Sequence, residues 1–407
     1  MGIGNYERQS QYFNSPEIYK SLEEIYSDLD SWTNEIFEQE SDRFENVNFH
    51  ILLPPLFYEG KFIKGLYFSE SVDLLNKLLP QLSEVFFSMA DSLWCAYPWS
   101  NTADAYFCLY DNPSRADWFK KTYPQRANKI LIPAANADFI NEYLIAPQPI
   151  NIKDIDIICV AKLSPVYNLP IIAQALNIYQ KKYNKPLKMT LILEDNFDFN
   201  SIELLSNEAQ LEWRKIQTIL VNNLDNIKIV SQVDYYQEMP LYYSRSKICI
   251  LGSLLEGKNR SLSEAMSCNT PVICFQQFNQ YVRGQAELFP PGSGLLSKFD
   301  PELLADTIHT ALEDLTVFQP RFNYLKYRGR KNFFNTCLDS FPHYYNTIPD
   351  YIPGESYNNL WLDLAMQYNY QISLHDFLYG RSPRSHIQGL VNIYKILNQW
   401  ITIKSSG

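Results

Sequence analysis

Residues 247–275, KICILGSLLEGKNRSLSEAMSCNTPVICF, gather more groups able to do chemistry than any other stretch of the chain. Two carboxylates, Glu256 and Glu264, are separated by seven residues, and Gly257, Lys258, Asn259, Arg260 and Ser261 lie between them. Carboxylates accept hydrogen bonds without donating, which suits vicinal diols. The two cations suit an anionic group. The spacing alone carries no weight in a chain with this many glutamates. Its context does, because the stretch reads strand, loop, helix, turn, strand. The pair therefore straddles a loop at the C-terminal edge of a sheet, where α/β folds bind ligands. Plainer roles compete. Ser261-x-x-Glu264 fits a capping box with Ser261 as N-cap, Glu256 fits a loop carboxylate, and Lys258 and Arg260 fit a solvated turn. Asn259 is a residue type that tolerates a left-handed backbone.

The elements that must position this stretch follow a β-α-β-α rhythm. IDIICVAKL, KMTLILED, NIKIVSQV, KICILGS and TPVICF read as strands. IIAQALNIYQKKY, the region around 202–222, EMPLYYSRS, SLSEAMSC and PELLADTIHTALEDL read as helices. That alternation implies a parallel sheet with right-handed crossovers. The first half is less regular. A polar, helix-like segment over 15–40 precedes a buried strand in VNFHILLPP, a helical SESVDLLNKLLPQL, apolar runs at VFFSM and AYFCLY, and a strand at KILIP. This also suggests a doubly wound α/β domain. The proline-bearing IAPQPINIKD reads as a linker near residue 150. The expected organisation is a first domain over 1–150, a second over 151–320, and a helical segment over 321–407 that includes NNLWLDLAMQYNY and IQGLVNIYKILNQWI.

Length and composition set the outer limits. A chain of 407 residues with 46% hydrophobic and 20% charged residues suits two packed domains. No apolar run is long enough to span a bilayer, and the N-terminus lacks the apolar core of a secretory signal. The seven cysteines form no C-x-x-C pair and sit mostly in apolar runs, as small core residues of a reducing compartment would. Cytoplasm is the expected location. The net charge is −10, and residues 1–150 hold 11 Lys+Arg against 21 Asp+Glu, while the remainder balances at 24 and 24. An acidic first domain disfavours nucleic acid and strongly electrostatic membrane attachment, leaving at most a weak peripheral contact. Two D-x-D strings, Asp28-Leu-Asp30 and Asp154-Ile-Asp156, could hold a divalent cation against a sugar nucleotide. The first falls in a probable helix and the second at a strand start, so no metal site is expected. His50 reads as a core histidine of the first domain's best strand, and His309 and His375 have no evident partners.

The 247–275 stretch resembles the donor-site signature of family-4-like, group 1 retaining glycosyltransferases of the GT-B fold, roughly S-x-x-E-G-F-G-L-x-x-x-E-A-M-x-x-G-x-P-V-I. Ser253, Glu256, Gly257, Glu264, Ala265, Met266, Pro271, Val272 and Ile273 match it. Further segments are similar in the family's order: KILIPAANADFI, IICVAKLSP with Lys162 in place of an arginine, NIKIVSQVDYYQEMPLYYSRSKICILGS and GSGLLSKFDPELLADTI. The likeness covers residues 129–310 and hardly touches 1–128.

The resemblance implies two Rossmann-like, doubly wound domains facing each other across a cleft. The second would hold the donor and the first the acceptor, and the last helix would return to the first domain. It implies transfer of a hexose from a UDP-, GDP- or ADP-hexose to a saccharide or lipid-linked acceptor, with retention of configuration and no cofactor or obligatory metal beyond the donor. Glu264 would accept hydrogen bonds from the donor ribose, Glu256 would contact the sugar near the reacting carbon, and Lys162 would neutralise the diphosphate. The family's Lys-Gly five residues after its arginine is replaced by Tyr167 and Asn168. Its Phe-Gly-Leu is replaced by Lys258, Asn259 and Arg260, and its Gly-Gly after the P-V-I strand by Phe278 and Asn279. Lys258 or Arg260 is the expected substitute for the lost cation, and Gly257 through Ser261 would line the donor. Two other readings remain: a non-catalytic sugar-nucleotide-binding or scaffold subunit, and a sugar-nucleotide epimerase.

Overall fold

The computed structural model describes residues 50–91, 101–107, 128–193, 199–254, 259–276 and 289–341 with small gaps, and a few isolated residues elsewhere. The expected helices over 15–40 and in NNLWLDLAMQYNY and IQGLVNIYKILNQWI lie largely or wholly outside the described residues, as do Asp28, Asp30, Phe278, Asn279 and His375. The chain divides into two compact units, residues 1–135 with 333–407, and residues 136–332. The division falls ahead of the proline-bearing segment near residue 150.

The first unit holds strand β1 (His50–Leu53), the hairpin strands β2 (Leu56–Tyr58) and β3 (Lys61–Ile63), β4 (Gly65–Phe68), helices α1 (Val72–Leu78) and α2 (Leu82–Val85), and strands β5 (Phe86–Asp91), β6 (Ala105–Phe107) and β7 (Ile130–Ile132). Its sheet runs β1-β4-β5-β6-β7. β1 is antiparallel to β4 and the rest are parallel. Among the described strands, β4, β5, β6 and β7 follow one another in chain order. The residues from 333 onward that are described group with this unit: Phe333 lies 6.0 Å from Phe107 and Phe341 5.5 Å from Phe87, ring to ring. Asp73 accepts from the backbone N–H groups of Asn101 (3.0 Å) and Thr102 (2.7 Å) and so fixes the turn before β6.

The second unit holds β8 (Ile155–Ala161), α3 (Leu169–Tyr183), β9 (Met189–Leu193), α4 (Asn207–Ile219), β10 (Ile227–Ser231), α5 (Met239–Arg245), β11 (Ser246–Leu251), α6 (Arg260–Ser267), β12 (Val272–Phe275), β13 (Gly294–Ser297), α7 (Pro301–Glu313) and α8 (Pro320–Tyr327). α9 (Gly329–Ser340) spans the division between the units. The sheet is wholly parallel, in the order β10-β9-β8-β11-β12-β13. This is the Rossmann order, with its reversal between β8 and β11. Strands buried on both faces read as continuous apolar runs, and β8, β9, β11 and β12 do so: IDIICVA, MTLIL, SKICIL and VICF.

One face is covered by α3, α4 and α7, whose buried Ile172, Leu176, Trp213, Ile216, Leu304 and Ile308 share a core. The other face is covered by α5, α6 and α8 through Met239, Tyr243, Leu262, Ala265, Met266 and Tyr324. Cys159, Cys249, Cys268, Cys274 and Cys337 are free and buried. Burial pushes the Cys159 thiol up to about 12, which keeps it protonated and unreactive. The cysteines therefore serve as core residues here, as their apolar surroundings in sequence suggest.

Candidate functional site

The loops after β8 and β11 flank the sheet's reversal, so their geometry comes first. After β8 the chain passes the exposed Lys162 and a short 3-10 turn, Pro165–Tyr167, to Asn168. Asn168 has φ 48° and ψ 34°, a left-handed conformation. That is the position where the family pattern has glycine, and asparagine is among the few other residues that adopt it at modest cost. Its side chain donates to the carbonyl of Gly252 at 2.9 Å and so ties the two loops together. The approach is close enough to exclude any side chain at 252, because a Cβ there would lie 2.0 Å from the Tyr167 carbonyl oxygen. Ser253, which follows, is fully buried.

Beyond Leu254 the chain re-enters the described residues at Asn259. Glu256, Gly257 and Lys258 lie outside them, so nothing structural bears on their expected roles. Asn259 is the N-cap of α6, with its side-chain oxygen accepting from the Leu262 N–H at 3.2 Å. Its φ of −79° and ψ of 132° are extended, so the left-handed tolerance of asparagine is not used here. An N-cap sits in the β region in order to turn its side chain onto the first helical N–H groups. The capping box that competed as a plainer role for Ser261 and Glu264 is also absent. The helix begins one residue before Ser261, and Glu264 is turned elsewhere.

Glu264 is 3% exposed and meets three side-chain donors. The hydroxyl of Tyr235 donates to Oε1 at 2.7 Å and that of Tyr243 to Oε2 at 2.9 Å. The Arg260 Nε–H donates to Oε1 at 3.0 Å. Burial raises the Glu264 carboxyl above the usual range, against the opposing pull of Arg260 and the two tyrosines. Arg260 lies one helical turn before Glu264 and stacks over the Tyr235 ring, 4.6 Å from its centroid. Both its described contacts, to Glu264 and to the Tyr235 hydroxyl (3.2 Å), use Nε. Its side chain is 37% exposed, and its two terminal amino groups have no hydrogen-bond partner among the described residues.

The sequence reading missed both tyrosines. Tyr243 is held by α5, whose buried face also carries Met239 and Pro240. Tyr235 is held by the turn after β10, where Asp234 accepts from the backbone N–H groups of Tyr236 (3.0 Å) and Gln237 (2.7 Å). The only available signal was the D-Y-Y string, because Asp favours such turns through side-chain capping of this kind.

Other candidates have settled partners. Asp154 pairs with Arg245 at 2.5 Å, and Asp156 with Lys247 at 2.6 Å and the Lys188 N–H at 2.8 Å. Among the described residues, no cluster of three or more His, Cys, Asp or Glu could hold a metal ion. His50 opens β1 opposite Phe68. His309 stacks on Tyr183, with ring centroids 3.8 Å apart, and faces Glu313 at 3.3 Å. No helix among the described residues is long and apolar enough to cross a membrane.

Residues 141–332, the second unit almost end to end, match the family model for glycosyl transferases group 1. The match covers a little under half of the chain. Glycosyl transfer is the enzyme class of the family that this segment matches. No curated protein matches the chain. Among solved structures it is similar to sucrose-phosphate synthase from Thermosynechococcus elongatus (17% identity, 67% of this chain and 72% of that one, TM-score 0.44). It is also similar to HepE of Anabaena in complex with UDP-glucose (15%, 68% and 78%, TM-score 0.45). A third is a TarM variant from S. aureus in complex with fondaparinux, alpha-GlcNAc-glycerol and UDP (14%, 63% and 51%, TM-score 0.44), of which the chain spans about half the length.

Proposed function

We propose that this protein transfers a hexose from a UDP-, GDP- or ADP-hexose to a saccharide or lipid-linked acceptor, with retention of configuration, without an obligatory metal, and in the cytoplasm. The observation that carries this reading is the position of Arg260. It stands at the start of α6, beside the reversal of a Rossmann-ordered sheet, with its terminal amino groups unpaired among the described residues. A departing nucleoside diphosphate gains negative charge as the glycosidic bond breaks. A cation and a helix N-terminus placed there stabilise that charge, each fixed donor contributing roughly 3–4 kcal/mol to the barrier. Lys162, at the end of β8, supplies a second cation. Asn259, Ser261, Gly257 and Lys258 complete the donor side in this reading, Glu256 contacts the sugar, and Glu264 accepts from the donor ribose.

A non-catalytic sugar-nucleotide-binding subunit is the second reading. It is favoured by Tyr167, a neutral side chain at the family's second cation position.

A thermal-shift titration with UDP, GDP, ADP and their hexose adducts separates these readings from a fold without nucleotide binding. Ligand at 100 times its dissociation constant adds about 2.7 kcal/mol of stability. One base family should stabilise the wild type, and Lys162→Ala should weaken the response. If no nucleotide shifts the wild type, the donor-site reading is wrong. Turnover of the responding donor with retained anomeric configuration, followed by NMR, then favours the enzyme over the binding subunit.

A further inference from the structure

We propose that the outer face of α8 is a membrane-docking surface that seats the second unit on a bilayer containing anionic lipid. The first part of the argument is apolar. α8 buries Pro320 and Tyr324, the latter in the core it shares with α6, and leaves Phe322 59%, Tyr327 56% and Leu325 36% exposed. An outer helix ordinarily turns polar residues to water. Three large apolar side chains exposed on an eight-residue helix instead suit contact with another apolar phase. Leu325 and Lys326 lie three and four residues after Phe322, so the three share one side of the helix. Lys326 is drawn over the neighbouring rings, its Nζ 5.9 Å from the Phe322 centroid and 4.9 Å from that of Tyr327.

The second part is charge. Residues 315–338 hold Arg321, Lys326, Arg328, Arg330 and Lys331 and no carboxylate, in a chain whose net charge is −10. Arg321 serves the fold, its guanidinium donating to the carbonyls of Ser267 and Glu142. Asn332 donates to the carbonyls of Leu325 and Lys326 at 3.1 Å each. The first turn of α9, which bears Arg330 and Lys331, is thereby held against the end of α8. The Glu142 carboxylate beside Gly329 is buried. Cations and exposed rings therefore meet at one place in the fold. Tyrosine and lysine both suit a bilayer interface, with apolar bodies in the acyl boundary and polar tips among the headgroups. Anionic headgroups attract the cations. A nucleic acid would use the cations through its phosphates but leave Leu325 in water, whereas a lipid surface uses both. The inference goes beyond the donor-site reading and does not depend on it. If that reading holds, the surface favours the lipid-linked class of acceptor.

The test is co-sedimentation of the full chain with vesicles of phosphatidylcholine alone and of phosphatidylcholine mixed with phosphatidylglycerol. The proteins are the wild type, Phe322→Ser/Tyr327→Ser, Lys326→Glu, Phe322→Trp and Leu303→Ser, the last a control at an exposed leucine of α7. The wild type should sediment with the mixed vesicles far more than with phosphatidylcholine alone, and should come off as salt rises. Lys326→Glu should weaken partitioning by about tenfold or more, since one cation near such a surface contributes about fivefold. The double serine variant should lose about as much, through the apolar area no longer buried in the interface. Phe322→Trp keeps an interfacial aromatic and should bind as the wild type does, as should Leu303→Ser. Every replaced side chain is exposed, and thermal unfolding checks that each variant folds. If the serine pair destabilises the chain, Lys326→Glu against Leu303→Ser carries the test. A wild type that ignores both vesicles overturns the inference, and so does binding that neither Lys326→Glu nor the serine pair weakens. Single-stranded RNA is the competing ligand: RNA binding that these variants abolish, in a chain that ignores vesicles, would reassign the face to nucleic acid.

Discussion

In the second unit the strand order reverses between β8 and β11, whereas in the first the described strands β4, β5, β6 and β7 follow one another in chain order. Both sheets are built largely from parallel strands joined by crossovers. A reversal sends neighbouring loops to opposite faces and opens a crevice at the strand ends. Succession in one direction does not. The buried carboxylates of the two units differ in a corresponding way. Asp73 in the first unit is satisfied by the backbone N–H groups of Asn101 and Thr102 and by the Thr102 hydroxyl, all from one neighbouring turn, a partnership that fixes chain geometry. Glu264 in the second meets side chains alone, one of which keeps two donors without a partner among the described residues. Donors left over after local satisfaction mark where a ligand belongs.

Four substitutions probe that contrast, in order of expected effect. Gly252→Ala places a methyl 2.0 Å from the Tyr167 carbonyl. It should cost about 3 kcal/mol or more, read by denaturant unfolding, and should abolish nucleotide binding with it, since overpacking against backbone cannot relax cheaply. Asp73→Ala should cost about 1–3 kcal/mol by leaving two N–H groups of the turn before β6 unpaired. Nucleotide affinity should be unchanged, and a loss of affinity there would break the distinction drawn between the units. Asn168→Ala should cost about 1–2 kcal/mol for a left-handed alanine. Asn168→Gly isolates the bond to Gly252, and the difference between the two variants measures the backbone term alone.

The smallest effect is the pH dependence of Glu264. Its folded carboxyl is raised above the unfolded value. Between the two values the folded state therefore holds more protons, and its contribution to stability falls as pH rises. Glu264→Gln should flatten the slope of stability in the acid range. A slope unchanged from the wild type would contradict the burial argument.

Much of the second unit was legible in the sequence because its strands are buried on both faces and its helices carry clear apolar stripes. Ile155–Ala161, Met189–Leu193 and Val272–Phe275 announce themselves as continuous apolar runs. The start of α6 was less legible, since Asn259 and Ser261 are comparable N-caps and only the structure chooses. Tyr235 and Tyr243 were invisible as partners of Glu264. They lie 29 and 21 residues away, and their role comes from packing between loops and helices that no local pattern encodes. The need for glycine at 252 was hidden for the same reason, because the clash is with a loop more than eighty residues earlier. In the first unit the individual strands AYF and ILI could be read, but their order could not.

The central claim is that the donor binds at the reversal of the second sheet. Hydrogen exchange with and without the responding nucleoside diphosphate tests it most directly. The account predicts new protection concentrated in peptides covering 160–170, 234–244 and 250–265. Protection confined to the strands of the first unit, with those second-unit peptides unchanged, would contradict it.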